Sequence, residues 1–391
     1  MAGALNGALP RFVLLYAVLF AGFGAASPYL PSLFIERGLG VEAIGWVLAT
    51  GTAVRLVAGP AGSRLADGMG QRRLVLAAIT AASAVAGTGY LLPGGFPLLM
   101  GASLLHAALL APLVPVVDAL ATAATGARYG WVRGAGSAAF IAGVTAAGVA
   151  VSRLGLPSFV WMNAGLLALA AAASLQVPEP DLPRAPPGAA GSPLLLLGVP
   201  GFVRLMLVAA LVGGSHALHD GFEVIRWTAA GIGRDTAGYL WSEGVVAEVV
   251  VFVLVGPALL RWIGPQGAAA LAAAAGVLRW GVNALTASVP AMALTEPLHG
   301  LTFALLHLAC MRMLTEIVPP QLAATAQAAY GTVAMGAMGA VVSLASGYLY
   351  GALGPGAFWA MAALCALAVP VAWGLRGAAA ARPSSLPSRA G

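Results

Sequence analysis

The sequence is poor in charge for its length. Of its 391 residues only 8% are charged, whereas an ordinary soluble domain carries about 25% charge. Lysine is absent, so all 19 basic residues are arginine. The only two cysteines, Cys310 and Cys365, lie in apolar runs, so neither a disulfide framework nor a thiolate metal cage is predicted. No water-soluble fold of this size can cover its surface with so few ions, which indicates a membrane protein.

Long apolar stretches make up most of the chain. The composition is 60% hydrophobic, and a membrane-spanning helix needs about 20 mostly apolar residues. The sequence therefore predicts an all-α integral membrane protein with twelve spans, which we place at 11–34, 43–63, 73–92, 97–124, 131–152, 156–176, 200–226, 236–259, 266–287, 290–315, 322–350 and 355–376. Twelve spans use about 240 residues. The remainder is too short for an extramembrane catalytic domain, so an enzyme is not predicted.

The arginines predict the orientation. With these spans, thirteen arginines fall on the face that carries both chain ends, and four, Arg37, Arg153, Arg226 and Arg234, fall on the other. Because cytoplasmic loops carry the excess of arginine, both termini are predicted in the cytoplasm, here of a bacterium with the protein in its inner membrane. The net charge of +6 then reflects topology. No nucleic-acid partner is predicted.

The chain divides near its midpoint and repeats itself. Residues Val177 to Pro193 are polar and Pro-rich, which predicts a linker. We expect an N-terminal unit at 1–176, the linker at 177–199, a C-terminal unit at 200–376 and a tail at 377–391. Matches in the same order support duplication: Gly45, Gly51 and His106 return 193 residues later as Gly238, Gly244 and His299, and Tyr129-Gly130 returns as Tyr330-Gly331.

Six spans in each copy predict two six-helix bundles related by a pseudo-two-fold axis along the membrane normal. In such proteins the binding site lies between the bundles, and rocking of one bundle against the other opens it to each side in turn. The predicted partners are thus a small-molecule substrate and the lipid bilayer.

The loop between the second and third spans, Gly62 to Arg73, reads GSRLADGMGQRR. It resembles the cytoplasmic loop motif of the major facilitator superfamily. The resemblance implies a latch at the cytoplasmic gate, built from Asp67, Gly70, Arg72 and Arg73. A basic loop that only orients the chain is the alternative interpretation.

A narrower resemblance covers most of the chain. Ser215-His216, the run GYLWSEGVVAE at 238–248, VLRWG at 277–281 and HLACMR at 307–312 look like the phenylpropionate permease group, a branch near the lactose-permease-like proton symporters. The resemblance implies a proton site on helices eight, nine and ten. It also implies that an acid on helix four and an arginine on helix five, here Asp118 and Arg133, hold substrate. An intracellular salt bridge between these two is the alternative.

Ionisable residues inside spans give the most specific site prediction, since each costs at least about 2.5–3.5 kcal/mol at a span centre and is kept for a cavity or a partner. Arg55 in helix two and Glu248 in helix eight each follow the repeated glycine by four residues. Their opposite signs predict electrostatic coupling across the seam, or pairing within each bundle. Both are candidate cavity residues.

A second group lies on helices nine and ten. Glu296 and His299 are three residues apart and share a helix face, with Arg279 on the preceding helix. Histidine titrates near neutral pH, so these three with Glu248 are predicted to load and release a proton. In the lactose-permease pattern the order of the acid and the histidine on helix ten is reversed. His307, deeper in the helix, is a competing candidate.

Helix seven carries a polar stripe. His216 and Asp220 are predicted to face the cavity, whereas Glu223 and Arg226 are expected at the outer water interface. A zinc site is not predicted, because His216 and His219 have no further clustered ligand. Trp241 is predicted to form part of an apolar wall for a ring-bearing substrate.

These features predict a monomeric transporter that moves a small organic solute, such as an aromatic monocarboxylate, together with protons. No P-loop occurs, so ATP is not predicted as the energy source, and no cofactor is expected. Sugar or nucleoside symport, drug efflux by proton antiport, and a non-transporting receptor on the same fold remain the alternatives.

Overall fold

The computed structural model describes residues 2–180 and 193–378, and every regular element in these two ranges is helical. Positions 181–192 of the predicted linker and 379–391 of the predicted tail lie outside the described residues. The α-helices are α1 (Ala2–Ala26), α2 (Leu30–Glu36), α3 (Val41–Met69), α4 (Arg72–Thr88), α5 (Phe96–Leu110), α6 (Leu113–Thr125), α7 (Tyr129–Leu154), α8 (Pro157–Ser174), α9 (Phe202–Gly214), α10 (His216–Ala229), α11 (Arg234–Val250), α12 (Gly256–Leu285), α13 (Val289–Thr295), α14 (Leu306–Ile317), α15 (Ala323–Ala329), α16 (Met338–Leu353) and α17 (Phe358–Ala378).

The helices are long and apolar enough to cross a membrane. Within the described ranges there are nine such helical stretches, and three of them contain 59, 52 and 56 residues, well over twice the length of one crossing. Each of these three is interrupted by a glycine with positive φ: Gly126 (52°), Gly264 (71°) and Gly354 (54°). Because an L-residue with a side chain rarely adopts this backbone conformation, the glycines allow the chain to turn back there.

The outer surface is apolar. Large hydrophobic side chains are freely exposed around the helices, including Trp262 (82% exposed), Leu294 (79%) and Val85 (73%). Such a surface is stable in contact with lipid and not with water. The protein is a multi-pass membrane protein.

Proline breaks two segments that the sequence analysis treated as single helices. The predicted first span separates into α1 and α2 around Pro28, and the predicted fourth span separates into α5 and α6 at Pro112. Proline lacks an amide hydrogen and disfavours helical geometry in the preceding residue, so the backbone ladder is interrupted at both places.

The first and second halves of the chain touch mainly at one end of the molecule. At this end, which we call the far face, Arg234 approaches Glu36 (3.9 Å). Here α3 packs on α16 and α7 packs on α11. Both contacts use facing glycines: a Cβ on Gly45 would lie 3.0 Å from Cα of Gly347, and one on Gly238 would lie 3.2 Å from Cα of Gly148.

The opposite end, the near face, carries the Gly62 to Arg73 segment, which the sequence analysis treated as a loop; only Gly70 and Gln71 of it lie outside α3 and α4. Arg72 donates to Asp67 across this turn (2.7 Å), and the Arg73 side chain lies 4.0 Å from Glu179. The main contacts of α6 and of α14 are with helices of their own halves of the chain. The seam between the halves is therefore closed at the far face, and the Asp67–Arg72 pair does not cross it.

We expect the far-face seam to open when Gly45 is replaced by leucine, because the new side chain would collide with the backbone at Gly347. Spin labels on cysteines introduced at the exposed far-face positions Ile35 and Leu353 would report this as longer distances in pulsed electron resonance. Gly165→Leu is the matched control, since a Cβ there meets nothing within 4 Å. An unchanged distance distribution in Gly45→Leu would contradict this packing.

Candidate functional site

A cavity of about 870 Å³ lies between the two halves, and both contribute to its walls. The first half supplies polar side chains from α3, α5, α7 and α8, and the second half supplies them from α10, α11, α12 and the segment after α13. The charged residues, histidines and tryptophan lining it are Arg55, His106, Arg133, His216, His219, Asp220, Trp241, Glu248, Arg279, Glu296 and His299.

A fully buried ion pair stands at the centre of the second-half wall. Arg279 on α12 donates to Oε2 of Glu296 over 2.7 Å, and neither side chain is appreciably exposed. The guanidinium also lies 4.5 Å from the centre of the Trp280 ring. Two buried opposite charges with this geometry hold each other in place, whereas either one alone would carry a large desolvation penalty.

His219 extends this pair toward the cavity. Its Nε2 lies 3.3 Å from Glu296, and its Nδ1 lies 3.2 Å from Asp220. The ring stacks on Trp241 with centroids 4.8 Å apart. The sequence analysis did not select His219 as a site residue, although its place next to Asp220 and three residues after His216 was the available signal.

Glu248 and His299 continue the cluster on the other side of the arginine. Arg279 donates to Nδ1 of His299 (3.2 Å), and Nε2 of the same ring lies 3.4 Å from Glu248. With Nδ1 accepting, the ring proton is on Nε2 and points at the carboxylate. Two π-helical segments flank these groups, Val251–Val255 after Glu248 and Gly300–Leu305 after His299. Such segments occur often at functional sites.

The six side chains form one connected relay: Asp220, His219, Glu296, Arg279, His299 and Glu248. Its two ends are partly open to the cavity, with the Asp220 side chain 61% exposed and the Glu248 side chain 24% exposed. The buried centre therefore communicates with the cavity through acids at both ends. Its acids and histidines are groups that can hold a proton, whereas Arg279 between them stays protonated and keeps them in place. In the described ranges, no group of three or more metal-type ligands has the geometry to hold an ion.

The other predicted histidines occupy different places. His216 is buried and bonds through Nε2 to the Thr302 hydroxyl (2.9 Å), with its ring edge-on to that of His299. His307 lies 3.2 Å from the Tyr330 hydroxyl and does not line the cavity. The structure thus brings His216 next to the relay and leaves His307 apart from it.

Asp118 and Arg133 meet near the near face, with 3.6 Å between them. The Tyr16 hydroxyl donates to Asp118, and the Arg133 guanidinium lies 5.4 Å from the centre of the Phe20 ring. Arg133 and Phe20 both line the cavity. The ion pair is compatible with either of the two interpretations given above.

Glu223 and Arg226 are not at the water interface, so that expectation was wrong. Both side chains are buried, and they pair with each other over 2.8 Å. Arg226 also donates to Oδ1 of Asn283 (3.2 Å) and to the backbone carbonyl of Thr286. The arginine thereby closes the C-terminal end of α12, where carbonyls lack intrahelical partners. Sequence spacing did not show this because α12 is distant in the chain.

Arg55 faces the cavity from α3 and, in the part of the chain that the structure describes, forms no ion pair. Its predicted coupling partner Glu248 is paired with His299 instead. His106, Tyr90 and Asn163, which the sequence analysis did not select as site residues, line the same wall. For His106, the available signal was its match to His299 in the repeat.

Long apolar helices around a polar cavity that both halves of the chain line define the class of membrane transporters. The sequence matches the model of the MFS_1 like family over residues 9–361. The chain belongs to this family, and it is a transporter of the major facilitator superfamily.

Two relatives are similar over almost their whole length. The chain is 33% identical to the probable 3-phenylpropionic acid transporter of Escherichia coli over 368 residues, which cover 89% of this chain and 92% of that protein. It is 28% identical to the maltose permease of Geobacillus stearothermophilus over 372 residues, 91% of each chain. These values confirm the resemblance to the phenylpropionate permease group.

Solved structures confirm the fold. A mutant of the nucleoside transporter NupG superposes with a TM-score of 0.81 at 15% identity, covering 94% of this chain and 98% of that one. A bacterial homologue of the human lysosomal transporter Spinster gives a TM-score of 0.67 at 16% identity, with 96% of each chain covered. At such low identity the likeness concerns the fold alone.

We expect Glu296→Gln to destabilise the protein more than Glu248→Gln does. The first change leaves Arg279 buried without a carboxylate, and breaking a buried ion pair in this way costs about 3–5 kcal/mol. Glu248→Gln removes the charge of a partly exposed acid, and water can take the place of the lost carboxylate. The measurement is thermal unfolding in detergent, with Glu316→Gln, which removes an acid paired with Arg312 outside the cavity, as control. A melting temperature for Glu296→Gln equal to that of Glu248→Gln would refute this ranking.

Proposed function

We propose that this protein is a proton-coupled symporter that moves a small organic solute by alternating access. The observation that carries the proposal is the relay from Asp220 to Glu248 across the buried Arg279–Glu296 pair. Proton transporters use chains of acids and histidines at membrane depth, and such residues are retained there only for a function or a partner.

The proposed architecture has twelve spans in two six-helix bundles related by a pseudo-two-fold axis. Counting each of the three stretches broken at Gly126, Gly264 and Gly354 as two spans raises nine to twelve. The sequence repeat supports units at 1–176 and 200–376, joined by a linker at 177–199 and followed by a tail at 377–391. The facing glycines at the far face support rocking of the units, because small residues allow helices to separate and close again.

The near face corresponds to the cytoplasm in this proposal, with both termini there and the protein in a bacterial inner membrane. Arg72 and Arg73 lie at this face, and the excess of arginine marks the cytoplasmic side. Closure at the far face then makes this the inward-facing conformation. The loop with Asp67, Gly70, Arg72 and Arg73 is the proposed cytoplasmic latch, which would meet the other bundle when the near face closes.

Proton coupling is assigned to Glu248, His299, Arg279 and Glu296, with His219 as the further member of the relay. Glu248 is the entry point, since its carboxylate is partly open to the cavity and lies next to the His299 ring. A proton taken up from the cavity neutralises the Glu248 carboxylate and weakens its attraction for the His299 ring, while Arg279 keeps its contacts with Glu296, His219 and His299. His307 is not assigned a step, because it lies apart from the relay.

The proposed solute is an aromatic monocarboxylate of the phenylpropionate type. This is supported by the Escherichia coli relative, a probable 3-phenylpropionic acid transporter, and by the aromatic rings of Trp241, Phe20 and Phe303 in the cavity wall. Arg55, Asp118, Arg133, His216 and Asp220 are the proposed polar contacts. The maltose permease among the relatives favours a sugar as the second candidate. A monomer suffices, since one chain provides the whole cavity.

We expect Glu248→Gln to abolish uphill solute accumulation while solute exchange across the membrane continues. A glutamine fills the same space but cannot take up a proton, so downhill and exchange movements lose only their coupling to the proton gradient. The measurement is uptake of radiolabelled 3-phenylpropionate and of maltose into proteoliposomes, with and without an imposed pH gradient.

Glu243→Gln is the matched control, since Glu243 is an acid on the same helix α11 that does not line the cavity. It should accumulate solute like the parent protein. Undiminished accumulation by Glu248→Gln, or solute uptake by the parent protein that moves no protons, would remove proton coupling from the proposal.

A further inference from the structure

One arginine that lines the cavity has no carboxylate beside it. Each lining carboxylate has a basic partner: Glu296 with Arg279, Glu248 with His299, and Asp220 with His219. Of the lining arginines, Arg133 has Asp118 at 3.6 Å and Arg279 has Glu296 at 2.7 Å. Arg55 lines the cavity with no carboxylate within ion-pair distance anywhere in residues 2–180 and 193–378. Arg55 is thus the one lining arginine whose charge no carboxylate of the described residues offsets.

The position of Arg55 is well defined by helix packing. One turn before it on α3, Gly51 faces α5, and a Cβ there would lie 3.7 Å from the Ser103 hydroxyl and 3.8 Å from Ala107. Arg55 is exposed to the cavity, and the rings of His106 and Tyr90 line the same cavity. These rings are joined by a 3.2 Å hydrogen bond between the Tyr90 hydroxyl and Nδ1 of His106.

The sequence repeat shows what this wall lacks. Arg55 and Glu248 both follow the repeated glycine by four residues, and His106 corresponds to His299. In the second half, the acid closes onto the histidine at 3.4 Å. In the first half, an arginine replaces the acid, and Nε2 of the buried His106 has no hydrogen-bond partner among the residues described. The first half therefore offers donors where the second half has a complete acid–histidine pair.

We propose that Arg55 is the anion-binding residue of the cavity and that it holds the carboxylate of the transported acid beside the His106–Tyr90 pair. This inference rests on the proposed transport function and assigns the solute's charged group to the first half of the chain. Guanidinium is the suitable group, because its planar fork donates two parallel hydrogen bonds to a carboxylate. His106 acts as a positioning residue that keeps the adjoining wall polar.

This assignment places the two transported charges on opposite walls. The proton binds on the relay of the second half, and the carboxylate binds at Arg55 of the first half. With both in place, the carboxylate offsets the charge of Arg55 and the proton neutralises Glu248, which faces a singly protonated His299 ring. Closing the cavity then buries neither charge bare, which would be costly. Coupling of proton and solute then follows from the cost of closing with only one of them bound.

The test compares binding of acids with binding of their uncharged amides to the purified full-length protein. Dissociation constants for 3-phenylpropionate, benzoate and hexanoate, and for the three corresponding amides, are measured by calorimetry in detergent. Arg55→Gln should weaken acid binding by about 10- to 100-fold, with a change of less than about threefold for the amides. Arg55→Lys should bind the acids more weakly than the parent protein and more tightly than Arg55→Gln, because lysine keeps the charge but lacks the planar fork of donors.

Arg64→Gln is the matched control, because it removes the same charge from α3 at an exposed position outside the cavity lining. It should change none of the constants. His106→Gln should weaken acid binding less than Arg55→Gln does. Size-exclusion chromatography and thermal unfolding verify the fold of each variant. If Arg55→Gln does not fold, Arg55→Lys is compared with the parent protein in its place.

The assignment is overturned if the parent protein binds no acid of the panel, if it binds the amides as tightly as the acids, or if Arg55→Gln weakens both classes alike. Failure of the transport proposal looks different. If acid binding depends on Arg55 but uptake moves no protons, the assignment of Arg55 stands and proton coupling is refuted. If the protein takes up maltose together with protons and Arg55→Gln does not change this uptake, symport stands and the assignment of Arg55 is overturned.

Discussion

A charged side chain in the middle of a membrane needs either an opposite charge or water, and this constraint organises the whole molecule. The buried Arg279–Glu296 pair (2.7 Å) satisfies it with charge. Arg55, Asp220 and Glu248 satisfy it by lining the cavity between the halves of the chain. The apolar outer surface around Trp262 and Leu294 is the counterpart of this arrangement, because the polar groups are collected inside.

The two walls of the cavity differ in chemistry although the sequence repeat places them at matching positions. Glu248 with His299 forms an acid–histidine pair in the second half, whereas Arg55 stands beside His106 and Tyr90 in the first. In the proposed mechanism this difference separates proton handling from solute recognition. The two walls come together at the glycine contacts of the far face, such as Gly45 with Gly347. Binding of the proton to one wall and of the solute to the other therefore acts on the same seam.

Composition was sufficient to predict a helical membrane protein, and the Gly62 to Arg73 loop was sufficient to indicate its superfamily. The spacing of Glu296 and His299 showed that they share a helix face. It did not show that His219 completes the relay, because that contact joins helices about 60 residues or more apart. The burial of Glu223 and Arg226 was missed for the same reason: their partner Asn283 and the Thr286 carbonyl belong to the end of another helix. Local periodicity describes a helix face, whereas burial depends on which helix covers it.

The most direct test of the central claim is whether water reaches the cavity and not the outer surface. Both native cysteines are buried, and with them replaced by alanine, single cysteines are introduced at the cavity residues Ser27 and Ser137 or at the exposed apolar positions Val85 and Leu294. In proteoliposomes, a small water-soluble thiol reagent should modify the cavity cysteines rapidly and the outer ones slowly. Equal rates at all four positions would contradict a water-filled cavity within the membrane.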